Sequence, residues 1–531
     1  MTGASQKPQV IRIASRQSDL ARIQAYTVGE QFMQAYPGVK IAYQFRESLG
    51  DKNLNDPLWK IPEKGVFTRD FHQDLVNDLC DLVVHSWKDL AVEENNDTVI
   101  AATFEREDVR DVLFVKKSSF ERIKLEKTIS IYTSSPRRMY HFEKFAKIFL
   151  PFQIQHCTFE SVRGNIQTRM KKMLEADSID GILMAKAGLD RMLQASASEF
   201  QTTQNFFKQA LEEVEFMILP VTTNPQAPAQ GALAIEVKRS REDLIQLLNP
   251  LNHKKTFISV QREREILKSY GGGCHSKLGV SSFSNAQFEL DLISGFINDQ
   301  TVEREVFKTE QTQRFSSEEM FAPQSSDYFS LEYNKYHDLA ELVQQIPSGN
   351  FAMLEVAKAS YLTDLSELKN VLCWSSGLET WKKLAAQNIW VHGSQESFGS
   401  LIPRTQSIFG KKLSWFKLTH EAALDYPGYQ SEEENLKSIS LCKLVDLKPY
   451  EDLSPYRAFY WRSGSLFLKA VKEQPNIIHQ AHFCGLGETY NIIQSYFAES
   501  HLYGSKNNLN LNSKICSFPS EKLWRNHVTK I

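Results

Sequence analysis

The stretch DLVVHSWKDL at residues 81–90 runs from apolar, β-branched residues into a group of polar and charged ones. Such a run predicts a short buried strand whose carboxyl end leads into a charged turn. Residues 10–240 repeat this arrangement, because short β-branched runs such as VIRIAS (10–15) alternate with longer segments that have the spacing of amphipathic helices. The alternation predicts an α/β fold with largely parallel sheets. Residues 216–237 are strand-like again, which suggests that the chain returns to its first sheet.

A chain of 531 residues is too long for a single hydrophobic core, so several domains are expected. The pattern predicts two α/β domains that face a cleft, followed by a smaller α+β domain. Beyond residue 345 a weak repeat predicts a two-lobed α/β region, because strand, Ser/Gly turn, helix, strand and Gly turn follow one another twice. The predicted domains are 8–107 with 215–238, 108–214, 239–345 and 346–531. The repeat consists of VLCWSSG (371–377) with WVHGSQES (390–397), and AFYWRSG (458–464) with FCGLGET (483–489).

Composition excludes several classes of function. With 42% apolar residues, 24% charged residues and a net charge of -2, the chain has no general surface for nucleic acid. The first residues, MTGASQKPQV, lack an apolar signal core, and no stretch approaches the roughly 18 apolar residues of a membrane span. A cytoplasmic protein without a membrane partner is expected. The seven cysteines are scattered and form no CxxC pair, so we expect free thiols, no disulfide framework and no metal site.

Arginines recur where a predicted strand meets a helix or turn. In an open α/β sheet, ligands bind at such places, beside the carboxyl ends of strands and near helix amino termini. Guanidinium groups bind carboxylates in a bidentate manner, so a ligand with several carboxylates is predicted. Any one of these arginines alone could equally be a surface residue. They are Arg16, Arg137, Arg138, Arg163, Arg169 and Arg191.

Two further positions carry candidate chemistry. Lys88 and Asp89 follow the buried strand of 81–90, and a carboxylate near so many cations would stay ionised and could stabilise a cation formed in a reaction. Asp89 could instead be a helix N-cap. Cys274 follows three glycines, which would leave its sulfur accessible as a nucleophile or modification site; an ordinary loop cysteine is the alternative.

Taken together, the motifs of residues 10–345 resemble hydroxymethylbilane synthase, also called porphobilinogen deaminase. The matches are colinear, which makes the resemblance far more specific than any single motif. The matching strings are RIASRQSDLA, GDKNLNDPLWKIPEKGVF, DLVVHSWKDL, FEREDVRDVL, TSSPRR, VRGNIQTRM, AKAGLDRM, QGALAIE and GGGCHSKLG.

The resemblance implies two domains like those of periplasmic binding proteins and a third that carries a covalent dipyrromethane cofactor, with Cys274 at the attachment position. It implies a transferase of porphyrin and heme biosynthesis that joins four porphobilinogen molecules head to tail with release of ammonia, then releases the linear tetrapyrrole by hydrolysis. Each pyrrole bears an acetate and a propionate, in agreement with the arginines. A monomer is expected.

Site roles are carried over from the family position by position. Asp89 matches the catalytic aspartate, and Lys88 matches a catalytic and cofactor-side position. The other cofactor-side positions are Ser135, Arg137, Arg138 and Arg169. Positions that bind substrate or chain carboxylates are Arg16, Ser18, Arg163 and Arg191, and those of the mobile segment beside the cleft are Lys60, Lys64 and Phe67.

Three positions depart from the family pattern. Leu49 stands where an arginine is usual, PEK at 62–64 replaces GGK, and Ala229 replaces the glycine before QG. No catalytic position is lost, although the 60–67 loop could move differently.

The carboxyl-terminal third resembles uroporphyrinogen-III synthase more weakly. That family has two α/β lobes and closes hydroxymethylbilane with inversion of the last ring, so a bifunctional fusion of transferase and lyase is predicted. The resemblance implies that turns of the two lobes hold the precursor through backbone NH groups and hydroxyls. These turns are 375–377, 393–394, 463–464 and 487–489. The opening of the first lobe looks shortened, so a degenerate tail with a structural role is the alternative. A catalytically dead carboxylate sensor is the alternative for the first part.

Overall fold

The computed structural model describes most of the chain in two compact units. The amino-terminal unit is Met1–Phe283 with Asp291–Val306, and the carboxyl-terminal unit is Ser284–Leu290 with Phe307–Ile531. Among the described residues, none of the helices combines the length and the apolar character that a membrane crossing requires. The described residues are 9–47, 68–93, 95–272, 276–311, 313–333, 351–361, 368, 371–402, 405, 407–408, 411–421, 423, 436–502 and 515–529.

The first sheet of the amino-terminal unit has five strands in the order β2-β1-β3-β10-β4. Strand β1 is parallel to β2 and β3, whereas β10 is antiparallel to β3 and β4. Its core is built from the inward residues of these strands and from α1, including Ile11, Ile13, Phe32 and Leu82. The elements are β1 (Val10–Arg16), α1 (Asp19–Ala35), β2 (Lys40–Arg46), α2 (Arg69–Val76), β3 (Leu82–Ser86), β4 (Thr98–Ala102) and β10 (Leu233–Lys238).

The second sheet also has five strands, in the order β7-β6-β8-β5-β9. Strand β6 is parallel to β7 and β8, and β5 is antiparallel to β8 and β9. The elements are β5 (Asp111–Lys116), α3 (Phe120–Glu126), β6 (Thr128–Tyr132), α4 (Pro136–Phe149), β7 (His156–Glu160), α5 (Ile166–Glu175), β8 (Gly181–Ala185), α6 (Lys186–Gln194), α7 (Gln201–Glu213) and β9 (Val214–Ile218).

Two details of these sheets differ from the sequence prediction. The sheets are mixed rather than largely parallel, because β5 and β10 each enter by a connection from the other sheet and so run against their neighbours. The return to the first sheet also comes later than residue 215. Strand β9 pairs with β5 along residues 214–218, and only β10, from Leu233, rejoins the first sheet.

A helical segment and a three-stranded sheet follow. The sheet order is β11-β12-β13. Glu263, on the helix α9, has no exposed surface and accepts two hydrogen bonds from Arg106 at 2.8 and 2.7 Å, which ties α9 to the connection between the first two sheets. The elements are α8 (Glu242–Leu248), α9 (Lys254–Ser269), β11 (Gly279–Ser284), β12 (Phe288–Ile297) and β13 (Gln300–Thr309).

The carboxyl-terminal unit contains a parallel sheet of order β14-β22-β23-β24 and a larger sheet of order β15-β21-β20-β16-β17-β18, with β19 paired to β20. The elements are β14 (Met320–Phe321), α10 (Ser325–Tyr328), β15 (Phe329–Tyr333), β16 (Phe351–Val356), β17 (Leu372–Ser375), α11 (Leu378–Ala386), β18 (Gly393–Ser394), β19 (Ser407–Ile408), β20 (Lys411–His420), β21 (Leu436–Asp446), β22 (Ala458–Trp461), α12 (Gly464–Glu473), β23 (Ala481–Cys484), α13 (Glu488–Leu502), β24 (Ile515–Ser517) and α14 (Glu521–Val528).

Each sheet of this unit contains one copy of the strand–helix–strand pattern read from the repeat. In one copy α11 connects the parallel strands β17 and β18, and in the other α12 connects β22 and β23. The predicted boundary at residue 345 does not coincide with the pairing of the strands. Strand β14 pairs with β22, and β15 pairs with β21, so residues 320–333 are part of the carboxyl-terminal sheets.

Candidate active site

Asp89 lies in a short 3-10 turn, Trp87–Asp89, that follows β3. The turn is held on two sides. The Trp87 backbone NH donates to the Ala232 carbonyl at 3.0 Å, and Arg264 of α9 donates to the carbonyls of Trp87 and Leu90. The Trp87 ring is buried and packs on Phe257 at 5.3 Å between centroids. The backbone of the turn is thus anchored, and the side chain of Asp89 on it is exposed.

Lys88 is partly open to solvent, but protein surrounds it closely. This burial lowers the pKa of Lys88, with Asp89 opposing the shift and Arg138 adding to it. The lysine thus lies in a concave region, within electrostatic range of both the exposed Asp89 and the buried arginines. No described residue forms an ion pair with Asp89 at close distance.

Arg169 shows that the predicted arginines converge. Its Nε donates to the carbonyl of Gly164, just before the N-cap of α5, at 2.7 Å, which holds the guanidinium at the amino-terminal end of that helix. Burial lowers the pKa of Arg169 to about 10, and like charges add to the effect while Asp89 opposes it. Four cations and one carboxylate therefore lie together. The other three cations that act on Arg169 are Arg138, Arg163 and Arg16.

Such crowding of cations is unfavourable unless anions are present. Each guanidinium disfavours the charge of the next, and Asp89 supplies only one negative charge. A ligand with several carboxylates would relieve the repulsion. The electrostatics of this region, which we call the Asp89 cluster (Arg16, Lys88, Asp89, Arg163 and Arg169), therefore favour a polyanionic ligand.

Arg137 and Arg138 lie at the back of this region and are held by a carboxylate that the sequence analysis did not single out. Asp111 accepts from Arg137 Nη2 at 2.7 Å and from Arg138 Nη2 at 2.8 Å, and also from the side chains of Asn224 and Gln230, both at 2.9 Å. Burial alone would raise the pKa of Asp111, but the two arginines outweigh it and hold the pKa well below its usual range. These five residues form what we call the Asp111 cluster.

The two serines of the predicted site lie at helix amino termini. Ser135 is the N-cap of α4, and its hydroxyl accepts from the Arg138 backbone NH at 3.4 Å. Pro136 follows at the first helical position, as the Ser-Pro pair predicts. Ser18 is the N-cap of α1, but its side chain makes no capping hydrogen bond there.

Arg191 stands apart from the Asp89 cluster. On α6, it is buried and donates to the Gly231 carbonyl at 2.6 Å, with Glu107 at 4.0 Å. Burial lowers its pKa, and the charges that act on it are those of Glu107 and Asp190 rather than of the other arginines. Arg191 lines a cavity of about 410 Å³ with residues such as Tyr26 and Phe104.

Four predicted site residues lie outside the described residues: Lys60, Lys64, Phe67 and Cys274. Helix α9 ends at Ser269, and Gly271 has a φ of +76°, a left-handed conformation that favours glycine. The structure describes the chain before Cys274 as far as Gly272.

Residues 11–246 match the family described as "Porphobilinogen deaminase, dipyromethane cofactor binding domain". Similar proteins include the porphobilinogen deaminase of Nostoc sp., which is 33% identical over 279 residues, 52% of this chain and 78% of that protein. That of Syntrophomonas wolfei is 34% identical over 277 residues, 52% of this chain and 81% of the relative.

The chain belongs to the porphobilinogen deaminase family. Among solved structures it is similar to a putative periplasmic sulfonate-binding protein SsuA from Methylobacillus flagellatus, with 11% identity and a TM-score of 0.25, over 49% of this chain and 69% of that one.

The matched region is the part of a porphobilinogen deaminase that binds the dipyrromethane cofactor. The residues of this chain fit such a group. Dipyrromethane carries acetate and propionate carboxylates, and the Asp89 cluster is rich in cations with a single carboxylate among them. The buried Arg137 Nε has no hydrogen-bond partner among the described residues, so it can still donate.

Proposed function

We propose that the amino-terminal part of this chain is a hydroxymethylbilane synthase. It joins four porphobilinogen molecules head to tail on a dipyrromethane primer attached to Cys274, releases one ammonia per molecule, and frees the linear tetrapyrrole by hydrolysis. The observation that carries the proposal is the Asp89 cluster, in which an exposed carboxylate lies within electrostatic range of Lys88 and Arg169, and Arg169 in turn lies within range of Arg16 and Arg163.

Asp89 stabilises the positive charge that develops on a pyrrole nitrogen as ammonia leaves. An ionised carboxylate that is already in position needs no reorganisation during the reaction, which makes it an effective electrostatic catalyst. Lys88 lies next to it with a lowered pKa, so it gives up a proton more readily than an ordinary lysine and can assist proton transfer.

The arginines bind the carboxylates and orient the pyrroles. Arg16, Arg163 and Ser18 bind substrate carboxylates at the open side of the cluster, and Arg191, which stands apart from the cluster on α6, binds a carboxylate of the growing chain. Arg169 and Ser135, together with Arg137 and Arg138 behind them, hold the cofactor. When bound, dipyrromethane supplies the nucleophilic pyrrole carbon to which the first substrate is joined.

The test of this proposal is the Cys274→Ala variant. Mass spectrometry of intact wild-type protein should show a two-pyrrole adduct, and the variant should lack both adduct and activity, since its primer has no anchor. A matched control is Cys157→Ala, which removes a cysteine with a raised pKa outside the cluster and should keep both. Wild-type turnover in Cys274→Ala would overturn the assignment. A sensor without catalysis would show no adduct in either protein.

We further propose that the carboxyl-terminal unit is a uroporphyrinogen-III synthase, so that the chain is a bifunctional transferase and lyase. Two observations support it. The two sheets each carry a strand–helix–strand copy, and β14 and β15 supply strands that a region starting at residue 346 would lack. The shortened first lobe, which favoured a degenerate tail, is thus extended by β15, and the second lobe by β14.

The product made from porphobilinogen tests the second activity. The full chain, with no other synthase present, should yield the type III isomer. The type I isomer forms spontaneously from the linear tetrapyrrole, so a product that is only type I would show that the carboxyl-terminal unit has a structural role.

A further inference from the structure

The larger sheet of the carboxyl-terminal unit has a topological switch point between β16 and β20. From β16 the chain proceeds to β17 and β18 on one side, and later to β20 and β21 on the other. All these neighbours are parallel, so their carboxyl ends meet at one edge of the sheet. Where the strand order reverses in this way, connections diverge and leave a crevice in which ligands bind.

Basic side chains are concentrated at this switch point. Lys358 lies two residues beyond the end of β16, and Lys417 and His420 lie near the carboxyl end of β20. A bulge between Thr419 and His420 shifts the register against β21 and changes the direction of the strand end. Burial lowers the pKa of His420 to about 4, and Lys358 and Lys417 add to the shift, so lysine charges dominate the field there.

The smaller sheet contributes two helix amino termini to the same place. The Oγ of Ser465, in the first turn of α12, lies 3.5 Å from the Nε2 of His420. Glu488, the first residue of α13, lies 3.0 Å from Lys417 Nζ. Both helices follow strands of the parallel sheet and are long enough to present backbone NH groups and a partial positive charge to an anion.

Two side chains at the switch point have hydrogen-bonding capacity that no described residue is seen to use. Lys358 is exposed, and its ammonium lies 5.7 Å from the centre of the Tyr361 ring; no carboxylate of the described residues forms an ion pair with it. Glu488 Oε2 is buried and has no hydrogen-bond partner among the described residues. A buried carboxylate oxygen without a partner is costly unless a donor reaches it.

We propose that Lys358, Lys417, His420, Ser465 and Glu488 form a binding site for a pyrrole that bears carboxylates. The lysines and helix termini bind the carboxylates, and Glu488 Oε2 accepts a pyrrole NH. The proposal rests on the proposed synthase function of this unit and goes beyond it, because it adds charged side chains, chiefly Lys358, Lys417 and Glu488, to the backbone NH groups of the turns that begin α12 and α13. A linear tetrapyrrole has both kinds of group.

The experiment uses the full chain with Lys358→Met, Lys358→Arg and Glu488→Gln, and with Lys472→Met as control. Lys472 is exposed in the last turn of α12, at the opposite end from Ser465. Three quantities are measured: the rate of porphobilinogen consumption, the ratio of type III to type I product, and the affinity for uroporphyrin III followed by tryptophan fluorescence.

Lys358→Met is expected to weaken uroporphyrin binding about tenfold, because it removes one charge-assisted hydrogen bond, and to shift the product towards type I. Glu488→Gln should shift the product in the same direction. Lys358→Arg should restore both the affinity for uroporphyrin III and the ratio of type III to type I product. Porphobilinogen consumption should stay unchanged in all four variants, since the Asp89 cluster is intact.

The proposal is overturned if Lys358→Met and Glu488→Gln match Lys472→Met in both affinity and product ratio. If the wild-type chain makes only the type I isomer, the synthase function is wrong, and the affinity measurement alone then decides whether the site exists. Weaker binding in Lys358→Met with restoration by Lys358→Arg would support it, and equal affinities would overturn it.

Discussion

Asp89 and Asp111 are two carboxylates of the amino-terminal unit whose charges both act on Lys88, yet they are held in opposite ways. Asp111 is fully buried and accepts from two arginines and two amides. Asp89 is exposed on an anchored turn, among cations that are not tightly paired with it.

The difference separates structural from functional charge. In the Asp111 cluster one buried carboxylate pairs closely with both arginines, so Asp111 contributes to the fold and to the position of α4 and of the two guanidinium groups. In the Asp89 cluster four cations lie near one carboxylate of the described residues, which favours an anionic ligand. The presence of arginine and aspartate therefore does not by itself distinguish a structural cluster from a functional one. How closely the charges are paired makes the distinction.

The largest expected effect is that of Asp89→Ala on rate. The variant should fold normally but lose about 10³-fold in kcat, because the charge is needed chiefly in the transition state. Asp89→Glu should retain part of the activity. Steady-state kinetics and a thermal melt check both points. A raised KM with unchanged kcat would make Asp89 a binding residue and weaken the contrast with Asp111.

Asp111→Asn should show the reverse behaviour, with stability lost rather than a selective loss of rate. Removal of its charge leaves two buried guanidinium groups uncompensated, at a cost of about 3–5 kcal/mol in the free energy of unfolding. Glu121→Gln is the control, since Glu121 is largely exposed and its ion pair with Lys124 is worth little. Urea titrations compare them. An Asp111→Asn protein as stable as Glu121→Gln would show that the cluster is not structural.

His141, which is within electrostatic range of Arg137 in the Asp111 cluster, should make the free energy of unfolding depend on pH. Burial lowers its pKa to about 3, and Arg137 adds to the shift. Below its usual pKa of about 6.5, the unfolded chain binds a proton that the folded chain excludes, so stability falls as the pH drops from 6.5 towards 3. At pH 5 this costs about 2 kcal/mol.

His141→Gln should remove that loss. Its free energy of unfolding, measured relative to wild type, should improve by about 2 kcal/mol between pH 7.5 and pH 5. The same difference at both pH values would mean that His141 is protonated in the folded protein and that the cluster tolerates a further charge.

The smallest expected effect concerns Ala229, whose backbone NH donates to Glu263 at 2.8 Å beside the Asp111 cluster. Its φ of +67° is left-handed, so glycine would relieve about 1 kcal/mol of strain. Loss of its buried methyl group costs about 0.8 kcal/mol. Ala229→Gly should therefore change the free energy of unfolding by less than about 0.5 kcal/mol.

Gly231→Ala is the contrast for Ala229→Gly. The residue has a φ of +85°, and a Cβ there would lie 2.7 Å from the Glu107 carbonyl oxygen, so the variant should be less stable by more than about 1 kcal/mol. Equal effects of the two substitutions in urea titrations would show that the connection adapts to either residue.

The sequence by itself determined the local elements and the family. Ser135-Pro136 marks the start of α4, the run of 81–90 gives β3 and its charged turn, and the repeat of the carboxyl-terminal third appears as two strand–helix–strand copies. Capping, strand patterning and turn residues act over a few positions, so such features can be read from neighbouring letters. The colinear motifs pointed to the deaminase family in the same way.

Tertiary structure decided which charges meet. Asp111 pairs with arginines 26 and 27 positions away, Arg191 is held by Gly231 instead of joining the other arginines, and β14 and β15 find their partners more than a hundred residues further along the chain. The string FEREDVRDVL contains Asp111 as the first residue of a buried strand, which could have suggested a buried charge but not its partners. Pairing over such distances depends on strand order and on the connections between sheets, and a local pattern contains neither.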